Sequence, residues 1–160
     1  MSPSERIRPI AIAVVRRGGD LLVFEAYDSI RQHAFYRPLG GEINFGERSQ
    51  DAIAREMREE IGAEIRAARL IATLENIFAF EGRLGHEIVF VYEASLVDER
   101  LYAADELTGY EENGTPFRVL WKPLGSFGPG APLYPDGLLD LLTTGSAPRQ
   151  PWKTGYRPSA

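Results

Sequence analysis

The chain has 160 residues, 44% hydrophobic and 26% charged, with no cysteine. That is one domain's worth of ordinary globular composition, and it excludes a wholly disordered chain, a fibrous repeat, disulfides, thiolate metal sites and thiol nucleophiles. Eighteen basic and 23 acidic side chains leave a formal charge of −5, which argues against a general nucleic-acid binder, although one positive pocket or bound cations suffice to hold a small phosphate ester. The apolar run Ile10 to Val15 is too short to span a bilayer, and the opening residues carry no export-signal pattern. A cytoplasmic protein without a membrane partner is therefore expected.

Residues 1–7 carry Ser and Pro and are expected to be flexible. Arg8 to Arg16 is rich in Ile, Val and Ala and predicts a buried strand. Gly18-Gly19 marks a turn, and Leu21 to Ala26 predicts a second strand that forms a hairpin with the first. Tyr27 to His33 reads as a loop, and Phe35 to Leu39 as a short extended piece that Pro38 keeps out of helix. Ser49 to Ile61 predicts a helix, with Ser49 as N-cap, Asp51 in the first turn and Gly62 as the stop.

Beyond the helix, strand character is expected around Leu70 to Phe78, over Glu87 to Ala94 and over Phe117 to Trp121. The acidic stretch Asp98 to Asn113 reads as loop or short helix, and Leu138 to Leu142 as part of a final helix. Strands on both sides of a helix, with a closing helix, predict an α/β fold. Residues 143–160 form a tail without periodicity, in which Trp152 and Tyr156 could pack on the chain itself or on a partner, and oligomeric state, a homodimer included, is left open.

On a helical wheel Ile53, Met57 and Ile61 share an arc of about 80°, the packing face. Glu56, Glu59 and Glu60 share a neighbouring arc, with Arg55 beside Glu59. Three carboxylates on one arc are either a solvated acidic face or a site for a hard divalent cation, which takes oxygen ligands. The run from Gly41 through Glu47 to Arg55-Glu56-Met57-Arg58-Glu59-Glu60-Ile61-Gly62-Ala63 favours the second. It resembles the Nudix box, Gly-x5-Glu-x7-Arg-Glu-U-x-Glu-Glu-x-Gly-U with U aliphatic. Every named Gly, Glu and Arg of that pattern is matched, and only the last aliphatic position is reduced, to Ala63.

The resemblance implies a Nudix hydrolase domain over about residues 8–142, an α/β/α sandwich with a mixed sheet between helices. It also implies Mg²⁺ or Mn²⁺ held at Gly41, Glu56, Glu59 and Glu60, with water attacking a phosphorus of a nucleotide's diphosphate. Glu59, Glu60 and Arg55 are then the residues expected to carry catalysis. Arg55 can reach back to Glu47 and fix the carboxylates. Arg37, Tyr36 and Glu112 are candidate substrate or supporting residues, Glu106 and Glu111 are further candidates for a general base, and His33 and His86 are weighed for the same role. Tyr27, Phe35, Tyr36 and Phe80 are candidates to stack on a nucleobase. The expected partner is a small nucleotide, not a nucleic acid. The competing reading is a Nudix-like binding or regulatory domain without catalysis. Such domains usually lose box carboxylates, and none is lost here.

Overall fold

A computed structural model describes residues 5–146. Trp152, Tyr156 and most of the expected tail lie outside the described residues. The strands are β1 (Ile7–Val14), β2 (Arg16–Arg17), β3 (Asp20–Asp28), β4 (His33–Arg37), β5 (Gly40–Glu42), β6 (Ile65–Phe80), β7 (Arg83–Leu96), β8 (Glu106–Tyr110) and β9 (Pro116–Pro123). The helices are α1 (Ser49–Ile61), α2 (Arg100–Ala103) and α3 (Leu138–Thr144).

Two sheets form. The first has the order β5-β1-β7-β6 and is mixed, because β1 runs parallel to β7 while the other pairs are antiparallel. The second has the order β2-β3-β9-β8, with β4 added on β3, and is antiparallel throughout.

β1 is the hinge of the packing. Its side chains alternate between two hydrophobic clusters, so both faces are buried and the strand reads as a continuous apolar run. Ile10, Ile12 and Val14 join Leu138 and Leu141 of α3 on one face. Ala11, Ala13 and Val15 join Ile53 and Met57 of α1 on the other. The helices therefore cover opposite faces of the mixed sheet, as expected for an α/β sandwich. Small residues on the α1 face let that helix lie close to the strand, which brings its glutamates up against β5.

Four sequence expectations are corrected. Ser49 is not the N-cap: Arg48 holds that position with extended backbone and no side-chain cap, and the Ser49 hydroxyl instead meets the Tyr92 hydroxyl at 2.7 Å. The hairpin expected between the first two strands shrinks to Arg16–Arg17 against Asp20–Leu21, because β1 enters one sheet and β3 the other. The loop expected at Tyr27–His33 is shorter, since β3 runs to Asp28 and β4 starts at His33. The acidic stretch read as loop contains β8, whose Glu106 ion-pairs with Arg118 of β9 at 2.8 Å. The helix limits of α1 and the Gly62 stop, at φ 65°, are as expected.

Candidate active site

Two glycines set the approach of α1 to the sheet. Gly40 has φ 142°, and a side chain there would strike the Ala11 carbonyl of β1. At Gly41 a side chain would run into the Glu56 carboxylate. The space a Cβ would fill is thus taken by a carboxylate of the helix, which a larger residue would displace.

Arg55 organises the helix face. Its Nε and Nη2 donate to the two oxygens of Glu47 at 2.8 and 3.0 Å. Its Nη1 donates to Glu56 at 2.7 Å and Glu59 at 3.0 Å, and Nη2 also reaches the Glu42 carbonyl at 3.0 Å. The fork geometry of a guanidinium is what makes so many fixed bonds available from one side chain. With this partner, and with the Asn44 backbone N–H, the Glu47 carboxyl is held down to about 2. Arg55 in turn is held more firmly in its charged form, chiefly by Glu47.

Glu56 and Glu60, one helical turn apart, shift the same way, opposite to Glu47. Burial is the first cause of a raised pKa at Glu56, and the Arg55 bond opposes it. At Glu60 burial, then the charge of Glu56, push the carboxyl up to about 8, against the backbone N–H of Gly40, which donates to it at 3.1 Å. Among the described residues no basic side chain lies within ion-pair distance of Glu60. Among the described residues the helix therefore carries a carboxyl group without an ion-pair partner.

An all-oxygen set with one uncompensated buried carboxylate suits a hard divalent cation. Glu56, Glu60 and the backbone at Gly41 would hold it, with Glu59, 58% exposed at its side chain, available alongside. Among the described residues no three His, Asp or Glu side chains are already gathered for a metal, since Arg55 occupies Glu56 and Glu59.

A cavity of about 330 Å³ is lined chiefly by residues of β3, β4, β6 and β7. Arg37 and Glu111 line it and are also close enough to influence Glu60 electrostatically. Phe35, Phe80 and His33 line it too. Tyr36 does not: it is 9% exposed, packs in the core and donates its hydroxyl to Glu25 at 2.8 Å. Glu112 is exposed in the turn before β9 and does not line the cavity. Glu106 is tied to Arg118, and His86 Nε2 lies 2.9 Å from Glu75. Tyr27 is 57% exposed and does not reach the cavity.

Sequence reading missed Glu87, only 1% exposed in the cavity floor. A signal was present: Glu87 is in phase with the buried Val89 and Val91 of β7.

A family model described as NUDIX domain matches residues 6–121. The chain belongs to the Nudix hydrolase family. Solved Nudix structures share its fold. A MutT NUDIX hydrolase from Burkholderia pseudomallei aligns at 22% identity over 81% of this chain and 92% of that chain, with a TM-score of 0.55. A NUDIX-family hydrolase from Clostridium perfringens aligns at 16% identity over 87% and 95%, with a TM-score of 0.58. An ADP-ribose pyrophosphatase from Streptococcus suis aligns at 15% identity over 81% of each chain, with a TM-score of 0.52. The Nudix match spans β1 through most of β9, so it takes in the glutamate helix and both glycines. No helix among the described residues is long and apolar enough to cross a membrane.

Proposed function

We propose that this Nudix hydrolase cleaves a phosphoanhydride bond in a small nucleotide, a nucleoside diphosphate joined to a second moiety, with a divalent cation at the α1 glutamates. The observation that carries the reading is the pair Glu56 and Glu60, partly buried one turn apart, with no ion-pair partner for Glu60 among the described residues. Mg²⁺ or Mn²⁺ bound there supplies positive charge that offsets the diphosphate's charge and lowers the pKa of water.

The protein's own residues do the rest. Gly40 and Gly41 let the β5 backbone lie close against its neighbours, with the Glu56 carboxylate packed beside Gly41. Arg55 fixes Glu47, Glu56 and Glu59 in place before substrate arrives, which lowers the cost of organising them during the reaction. Glu60, held near neutrality in its acid–base balance, gives up its proton when a cation binds, so metal affinity rises with pH. Glu59 is exposed on the helix and Glu111 lines the cavity, each reachable by a water molecule. Either can take the proton of an attacking water, with Glu59 favoured by its place on the helix.

A panel of nucleoside triphosphates, dinucleoside polyphosphates and sugar nucleotides, incubated with Mg²⁺ and resolved by chromatography, tests this. A nucleoside monophosphate or diphosphate product is expected from at least one of them. No cleavage of any member would contradict the proposal and favour a binding domain.

A further inference from the structure

We propose that the 330 Å³ cavity takes the nucleobase of the substrate, that Arg37 reads a keto-bearing edge of that base, and that Glu87 is the positioning residue that aims Arg37. The inference rests on the nucleotide reading above and goes on to name the base class.

The cavity is shaped for a flat ring. Phe35 lines it, edge-on to Phe80 at 5.7 Å and to Tyr134 at 5.6 Å between ring centroids, and Phe24 and Phe78 extend the apolar wall. Aromatic walls of this kind accept a base by offset or edge contacts. The charges that line the cavity cancel, with Arg8, Arg31 and Arg37 against Asp28, Glu87 and Glu111. A polyphosphate would find no net attraction there, whereas a neutral ring is not penalised. Its neighbour Glu60 is where the phosphates belong, and Arg37 and Glu111 join the two regions.

The floor decides which ring. Glu87 is 1% exposed, so its carboxylate is hidden from a ligand. It accepts from Arg37 Nη2 at 3.1 Å and Asn76 Nδ2 at 3.3 Å, and Arg8 Nη1 lies 3.5 Å away. Asn76 is itself buried and accepts from the Asp136 backbone N–H at 3.4 Å. Arg37 is different. Its side chain is 20% exposed, and its Nε and Nη1 have no hydrogen-bond partner among the described residues. The accessible polar groups against Glu87 are therefore the guanidiniums of Arg37 and Arg8, which offer donors and no acceptor. A guanidinium fits the two adjacent acceptors O6 and N7 of guanine, while adenine sets an amino group beside its N7 and meets a donor with a donor.

Glu87 acts only through Arg37. A buried carboxylate with two guanidiniums is a fixed anchor, and without its charge Arg37 has no reason to stay over the floor.

The test is equilibrium binding of GMP and AMP to the full chain in EDTA, by titration calorimetry, so that no metal and no hydrolysis are involved. GMP should bind about tenfold more tightly than AMP, as one good bidentate contact provides. Arg37→Ala should bring GMP down to the AMP level. Arg37→Lys should not restore the difference, because an ammonium lacks the fork. Glu87→Gln should shrink the preference and, in turnover assays on a guanine nucleotide, raise KM more than it lowers kcat. Melting curves verify that the variants fold, and Arg37→Ala decides the matter if Glu87→Gln does not. Equal affinity for GMP and AMP in the wild type, or a preference that survives Arg37→Ala, would overturn the inference. Either result would leave a hydrolytic function intact, whereas failure of every nucleotide in the hydrolysis panel would leave the binding result standing.

Discussion

Glu60→Gln is expected to lower Mg²⁺-dependent turnover by about tenfold to a thousandfold, equivalent to roughly 1.4–4 kcal/mol of transition-state stabilisation. Glutamine keeps the size of the side chain and can still accept the Gly40 N–H, but it cannot supply the charge that a cation would meet. Stability should move the other way. The Glu60 carboxyl is raised to about 8 from an ordinary value of 4.5, so between those values the folded state binds more protons than the unfolded one. Metal-free wild type therefore loses stability as pH rises from about 4.5 through 8, and Glu60→Gln should flatten that loss. Glu47, lowered to about 2, works in the opposite sense: its contribution is present above 4.5 and is lost as pH falls toward 2. Thermal melts in EDTA from about pH 2 to 9 separate the two, Glu47 acting below 4.5 and Glu60 above it. Unchanged turnover in Glu60→Gln would remove this carboxylate from the catalytic centre, and an unchanged pH slope would contradict its buried, unpaired state.

Arg55→Ala should cost about 2–3 kcal/mol of stability, less than for a fully buried pair because the guanidinium is one-quarter exposed. The variant leaves Glu47, Glu56 and Glu59 facing one another without their shared cation and frees the Glu42 carbonyl. For a domain of this size that corresponds to a melting temperature lower by about 5–10 °C. Turnover should fall as well, because the carboxylates lose their fixed positions. Arg55→Lys should recover little, since one ammonium cannot satisfy Glu47 through two oxygens while holding two further carboxylates. Arg58→Gln is the matched control. Among the described residues Arg58 pairs only with Glu64, both ends being more than half exposed, and its loss should change little. Melting within about a degree of wild type for Arg55→Ala would show that the network is an ornament of the surface.

The glutamate helix could be read from sequence because its signals are local. Its apolar spacing, Gly62 and the charge pattern all lie within 14 residues, 49–62, and tertiary packing agrees with each of them. The Arg55–Glu47 pair was legible for the same reason, although Glu47 precedes the helix. Ser49 misled because capping competes with tertiary partners, and the hydroxyl of Tyr92 on β7 won. β8 was hidden because Glu106, Thr108 and Tyr110 are ordinary loop residues until β9 provides the ladder and Arg118 the counter-charge. The cavity was out of reach for a stronger reason. Its walls come from β3, β4, β6 and β7, and its floor joins Arg37 to Glu87, fifty residues apart. Single residues such as Phe35, Phe80 and Arg37 could be nominated, but only the fold separates them from Tyr36, a neighbour in sequence that points into the core.

The central claim is that a divalent cation at the α1 glutamates drives phosphoanhydride cleavage. The most direct measurement is product release from the nucleotide that the panel selects, followed through addition of excess EDTA and then of excess Mg²⁺. The account predicts that hydrolysis stops with chelator and returns with the metal, and that Glu60→Gln shows little of either response. Hydrolysis that continues undiminished in excess EDTA would contradict it.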